Sequence, residues 1–174
     1  MDRIKFSLRD IPRQELLSEY AERIPTLKIK AVESCISLLR TVGDISKVLE
    51  DHFQEYEISE GKFTILMLLY RQNDYQLSPI ELSKKAEVTK GTMTGLIAGL
   101  ENQGLVEKQT NESDKRSYLV KLSSKGTKLL NDILPEHYKL IGDIMSALDD
   151  IQIEAISSSL NLISKKLVKM EGEK

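Results

Sequence analysis

A chain of 174 residues, 40% of them hydrophobic and 30% charged, is long enough to bury a sizeable core without disulfide or metal support. Nine Gly and four Pro fit a soluble, mainly helical protein, and the longest apolar run, Ile65 to Tyr70, is far short of a membrane span. The net charge of −2 argues against a uniformly basic nucleic-acid binder, so any such role must come from local distribution.

Residues 1–25 hold Pro12 and Pro25 around Leu16, Leu17, Tyr20 and Ile24, the pattern of a short capped helix in an appended arm. From Thr26 to Glu57, Val32, Cys35, Ile36, Leu39, Val42, Ile45, Leu49 and Phe53 recur every three or four positions, which predicts one long amphipathic helix. Gly61–Arg71 reads as a shorter packing helix with Phe63, Leu66, Met67 and Tyr70 on one side. Ser78-Pro79-Ile80-Glu81 is a capping box with proline at the first helical position. The helix it starts is brief, because Thr89 is a ready N-cap for a second one running through Asn102, with Gly104 as its C-terminal stop.

Leu105–Lys108 then reads as a strand, Asn111-Glu112-Ser113-Asp114 as a turn, and Tyr118, Val120 and Leu122 as the alternating residues of a returning strand. Leu129, Leu130, Ile133, Leu140, Ile141, Ile144, Met145 and Leu148 form a further helical stripe, in which Pro135 should cause a kink or break. Asp149-Asp150 opens a last helix carrying Ile153, Ile156, Leu160, Ile163, Leu167 and Met170. The expected fold is mainly α with a small β-hairpin wing. Residues 61–122 form a winged helix-turn-helix lobe, and 26–60 with 123–174 form a helical dimerisation lobe behind the 1–25 arm. Long amphipathic helices from distant parts of the chain are naturally buried against a second copy, the alternative being a monomer whose helices cover one another.

In the Thr89–Asn102 helix, Met93, Leu96, Ile97 and Leu100 share one face, while Gly91, Gly95, Ala98 and Asn102 lie opposite, flanked by Thr94 and Gly99. Each interior glycine costs about 1 kcal/mol relative to alanine. Close helix packing and close approach to a DNA groove both account for that smooth face, with Lys90, Thr92 and Thr94 able to contact phosphates or base edges. Lys115 and Arg116 fall at the hairpin tip, where cations reach phosphates or a narrow minor groove. From Ser78 to Gly126, eight Lys or Arg stand against six Asp or Glu, and the remainder is acidic. The candidate DNA-contacting set is Ser78, Thr89, Lys90, Thr92, Thr94, Gly95, Asp114, Lys115 and Arg116.

The stretches Val88-Thr89-Lys90-Gly91-Thr92-Met93-Thr94-Gly95-Leu96-Ile97, Leu100-Glu101-Asn102-Gln103-Gly104-Leu105-Val106, Asp114-Lys115-Arg116 and Leu122-Ser123-Ser124-Lys125-Gly126 resemble, in order and spacing, the MarR family of repressors. The leader and Ile133-Leu134-Pro135-Glu136-His137 are most similar to the branch that represses multidrug efflux pumps. The resemblance implies a homodimer on duplex DNA, with Thr89, Lys90, Thr92, Thr94 and Gly95 lining the major-groove face. It also implies Arg116 in the minor groove, Asp114 orienting the wing through an ion pair, and a small aromatic, phenolic or drug-like effector that releases DNA.

Two other functions compete. Cys35 lies where thiol-based peroxide sensors of that family place their reactive cysteine, but no tyrosine precedes Tyr56 in this helix to hydrogen-bond the sulfur, which favours a buried structural thiol. A protein-interaction scaffold on the same fold would also suit an acidic chain. An enzyme is not expected: His52 and His137 belong to no ligand-spaced motif and are read as helix-surface or interface residues. No cofactor or metal is called for, and with neither an export signal nor a membrane span the chain is expected to be cytoplasmic.

Overall fold

A computed structural model describes residues 14–110 and 118–172. The element order is α1 (Gln14–Arg23), α2 (Ile29–Gln54), α3 (Glu60–Tyr70), β1 (Gln76–Leu77), α4 (Pro79–Lys85), α5 (Lys90–Asn102), β2 (Val106–Thr110), β3 (Tyr118–Leu122), α6 (Ser124–Met145) and α7 (Asp150–Gly172). The strands form one antiparallel sheet in the order β1-β3-β2, with Val106 opposite Leu122 and Thr110 opposite Tyr118. The two-residue β1, too short to show an alternating pattern, was not expected from the sequence. It pairs Gln76 with Lys121 and Leu77 with Val120, which turns the hairpin into a three-stranded sheet.

α3 is the centre of the molecule. It starts at Ser59, whose side chain caps Lys62 N, and it buries Phe63, Ile65, Leu66, Met67 and Leu69. These point to more than one side, because α3 is packed against α2, α4, α5, α6, β1 and β3. Ile65, Leu66 and Leu69 are fully buried, in one cluster with Phe53, Leu82, Met93, Ile97, Leu100, Val120, Leu130 and Ile133. Burying each such side chain contributes roughly 1.5–3 kcal/mol, so this cluster is the main stabilising feature of the chain.

α5 is joined to α6 by a close backbone contact. Gly104, at φ 70, takes the left-handed conformation that ends α5. The Ser123 hydroxyl donates to the Gly104 carbonyl at 2.7 Å and accepts from Gly126 N at 2.9 Å, while Ser123 N donates to the Leu105 carbonyl at 3.1 Å. Ser123 therefore both caps α6 and holds the end of α5. Gly126 lies so near that a Cβ there would sit 2.2 Å from the Leu105 carbonyl oxygen.

α6 continues through Pro135, so of the expected kink or break the break does not occur. Pro135 is exposed and forfeits one backbone hydrogen bond, whereas Leu130, Ile133 and His137 are buried on the other side and keep the helix on course. The two histidines also depart from expectation, since they meet where α2 and α6 pack. Their rings stack at 5.7 Å between centroids, and Phe53 and Phe63 lie 5.3 and 4.9 Å from the His137 ring. His52 Nε2 and His137 Nδ1 are buried without a hydrogen-bond partner among the described residues.

The outer helices are only partly covered within one chain. α7 buries no residue, and Ile156, Leu160, Leu162, Ile163, Leu167, Val168 and Met170 are exposed along it. Leu39, Val42 and Val48 of α2 are exposed as well, and α1 buries Leu17 but leaves Leu16 and Tyr20 out.

Gly126→Ala should lower stability by about 3 kcal/mol in urea unfolding, because its clash is with backbone that cannot step aside. Burial, and secondarily the neighbouring His52, hold the His137 imidazole below its ordinary value near 6.5. The unfolded chain thus takes up a proton more readily than the folded one. The stability tied to a neutral His137 is full above that ordinary value and is lost as pH falls through the lower, folded one. The urea midpoint should drop between pH 7.5 and 5.5, and His137→Phe should flatten that drop.

Candidate nucleic-acid interface

The helix-turn-helix is built from two local caps and a tight turn. Ser78 Oγ accepts Glu81 N at 3.3 Å, and the Glu81 carboxylate accepts Ser78 N at 2.9 Å and the Ser78 hydroxyl at 2.7 Å. Those bonds, the side-chain one foremost, hold the Glu81 carboxyl below its ordinary range. α4 ends where Glu87 takes φ 52 and Val88 N reaches back to the Ser83 carbonyl at 3.1 Å. Thr89 then caps α5, its Oγ1 accepting Thr92 N at 3.2 Å and lying 2.9 Å from Thr92 Oγ1.

α5 is anchored by Met93, Ile97 and Leu100, all buried against the α3 core. Thr89, Lys90, Gly91, Thr92, Thr94, Gly95, Ala98 and Asn102 are exposed. Thr89, Lys90, Thr92, Thr94 and Gly95 are therefore brought together on the solvent side of the N-terminal half of α5. The unsatisfied amides of the first turn give that end a partial positive charge. Thr94 Oγ1 donates back to the Lys90 carbonyl at 2.9 Å, so its hydroxyl oxygen remains able to accept. Ser78 stands apart at the start of α4, with its hydroxyl committed to the capping box.

The structure separates the roles of the interior glycines. Gly99 is a packing residue: a Cβ there would meet Lys62 Cε at 3.0 Å. Gly61 does the same from α3, where a Cβ would meet Leu96 Cδ2 at 3.3 Å. Gly95 has no atom within 4 Å of its Cβ position, and Gly91 has only Thr89 Oγ1 at 3.9 Å. Packing within the chain thus explains Gly99 and leaves Gly91 and Gly95 facing open space.

The hairpin stem is tied to α5 through Lys108, which pairs with Glu101 and lies 5.5 Å from the centre of the Tyr118 ring. The Glu101 hydrogen bond raises the Lys108 pKa. Asp114, Lys115, Arg116 and the expected turn at 111–114 lie outside the described residues. Cys35, expected to be buried, is exposed on α2. Among the described residues no group of three or more His, Cys, Asp or Glu could hold a metal ion, and no helix is long and apolar enough to cross a membrane. Sequence reasoning gave no role to Lys62, nor to Gln103 and Lys125 beyond their place in the motif stretches, yet the three meet at the C-terminal end of α5. Their partners are 41 and 22 positions apart, so no local pattern marks them.

Residues 58–118 match the model of the MarR family. The chain is 33% identical over 160 residues to the HTH-type transcriptional repressor YetL of Bacillus subtilis, covering 92% of this chain and 96% of that protein. Among solved structures it is similar to AbsC, a MarR family transcriptional regulator from Streptomyces coelicolor, with a TM-score of 0.75 and 19% identity over 82% of this chain and 97% of the other. It is also similar to Sco3205, a MarR family regulator from Streptomyces coelicolor solved in complex with DNA. There the TM-score is 0.65 at 22% identity, over 75% of this chain and 85% of that one.

Gly95→Ala should raise stability by about 0.5–1 kcal/mol, because the added methyl meets nothing and α5 gains helix propensity. Gly99→Ala should show no such gain, because Lys62 must move. Urea midpoints of the two variants, measured side by side, check the assignment.

Proposed function

The chain belongs to the MarR family of transcriptional regulators, and from that premise we propose that it is a ligand-responsive repressor, binding a pseudo-palindromic operator as a homodimer. The observation that carries this is the exposed N-terminal half of α5: Lys90, three threonine hydroxyls and two glycines that packing within the chain does not require. In this reading α5 enters the major groove. Thr89, Lys90, Thr92 and Thr94 contact phosphates or base edges, and Gly95 lets the helix backbone approach closely. Ser78, whose N–H and hydroxyl are both donated to Glu81, serves binding by starting α4, and Lys115 with Arg116 reaches the flanking phosphates or minor groove from the wing, oriented by Asp114.

Residues 61–122 act as the DNA-binding lobe, 26–60 and 123–174 as the dimerisation lobe, and 1–25 as an arm. The apolar residues left exposed along α1, α2 and α7 support a second copy as their cover, since a helix of 23 residues with no buried side chain has little to stabilise it in water. A two-fold dimer then places half-sites about 10 base pairs apart, centre to centre.

The effector binds between α3 and α6, where a cavity of about 310 Å³ is lined by Phe63, Thr64, Met67, Leu68, Arg71, His137, Tyr138 and Ile141. Aromatic and aliphatic walls with one guanidinium suit a small aromatic acid or phenol. A ligand that fits better when the two lobes are wrongly spaced for successive major grooves lowers DNA affinity by linkage, through about 1–3 kcal/mol of coupling.

Fluorescence anisotropy on duplexes selected from a random library should show tight binding that weakens steeply with salt. Arg116→Ala should weaken it with little change in thermal stability. One member of a panel of aromatic acids, phenols and cationic drugs should relieve binding, and Arg71→Ala should blunt that relief if the compound is an acid. Binding no better than to unrelated DNA would instead favour an interaction scaffold.

A further inference from the structure

Gln103 closes the C-terminal end of α5, is half-buried, and is held from three other parts of the fold. Its Oε1 accepts Lys62 Nζ of α3 at 2.7 Å, its Nε2 donates to the Glu57 carbonyl at 2.9 Å, and its own carbonyl accepts Lys125 Nζ of α6 at 2.8 Å. The amide orientation is unambiguous, because an ammonium can only donate and a carbonyl can only accept. Glu57, in the turn joining α2 to α3, is held at φ 56 without being glycine, so the carbonyl that Gln103 grips belongs to a constrained turn.

That grip acts at the contact between α3 and α5. Gly61 and Gly99 let the helices come close, and the Lys62 stem lies across Gly99 on its way to Gln103. The buried Met93, Ile97 and Leu100 hold the middle of α5 to the core, but hydrophobic burial is non-directional and fixes a helix's distance more firmly than its angle. Directional hydrogen bonds at the end of the helix add a restraint on that angle.

We infer that Gln103 is a positioning residue for operator recognition, setting the angle of α5 against α3 and α6 and hence the placement of its exposed N-terminal turn. The inference rests on α5 being the recognition helix. Across the 13 residues of α5, about 20 Å at the helical rise, a rotation of about 3° moves the far end by about 1 Å. That is enough to spoil a hydrogen bond to a base edge, whose geometry is narrow, yet it hardly changes the attraction of a cation for phosphate. Gln103 therefore governs discrimination between sequences rather than overall affinity for DNA.

The test uses a duplex that the full-length wild-type protein selects from a random library, and an unrelated duplex of equal length. Gln103→Met keeps the size and removes the amide; Lys62→Met removes the matching donor. Each variant should bind the selected duplex about tenfold more weakly, as expected when a recognition helix displaced by about 1 Å loses one good contact to a base edge. Affinity for the unrelated duplex and the salt slope should remain near wild type, and the melting temperature should fall by no more than a few degrees. The double variant should lose little more than Gln103→Met alone, since removing the amide already breaks the Lys62 bond along with the one to the Glu57 carbonyl. Unchanged discrimination, equal losses on both duplexes, losses that follow a fall in melting temperature, or additive effects would each overturn the inference. A wild-type protein that selects no duplex would defeat the recognition-helix reading itself, and the positioning role with it.

Discussion

Where the turn after α5 meets the start of α6, two stretches of backbone come together with no room for a side chain between them. Gly126 packs onto the Leu105 carbonyl, and Ser123 bonds both to the turn that follows α5, at Gly104 and Leu105, and to the first turn of α6. This contact has a consequence beyond its own stability. α6 continues for 22 residues toward the outer helices, so the end of α5 moves with it. A rigid end is a requirement for a helix that must present side chains at fixed positions to a partner outside the chain.

The same helix is treated differently at its two ends. At the C-terminal end, Gln103, Gly104 and Leu105 are bound by side chains or backbone from α3, α6 and the turn before α3. At the N-terminal end, the bonds among the described residues are local, Thr89 capping Thr92, and both of these residues are exposed. In the middle, the buried Met93, Ile97 and Leu100 hold α5 to the core around α3. Such a division suits a helix read at one end and steered from the other.

α6 also connects this end of α5 to the aromatic cluster between α2, α3 and α6. Its His137 lies among Phe53, Phe63 and His52, and the cavity between α3 and α6 opens beside it. A ligand in that cavity would press on α3, which carries Lys62, and on α6, which carries Lys125. Both routes converge on the C-terminal end of α5. Proposed effector control and Gln103 positioning thus share one mechanical path, in which small shifts of packed helices replace any large rearrangement.

Much of this was legible in the sequence because its causes are local. The capping box at Ser78, the cap at Thr89, the stop at Gly104 and the spacing of Met93, Ile97 and Leu100 each depend on residues within four positions, so the helix-turn-helix could be read directly. Amphipathic spacing likewise revealed the long helices, and motif order revealed the family. Tertiary structure decided what distant residues do to one another. It kept α6 intact through Pro135, because burial of Leu130 and Ile133 outweighs one missing hydrogen bond, and it added β1 by pairing two residues with a strand more than 40 positions away. It paired His52 with His137 and gathered Lys62, Gln103 and Lys125 at one helix end. It also assigned Gly99 to packing while leaving Gly95 in the open, although both are glycines in the same helix. Local sequence carries the physics of caps and periodicity; which surface a residue meets depends on elements the chain brings back from far away.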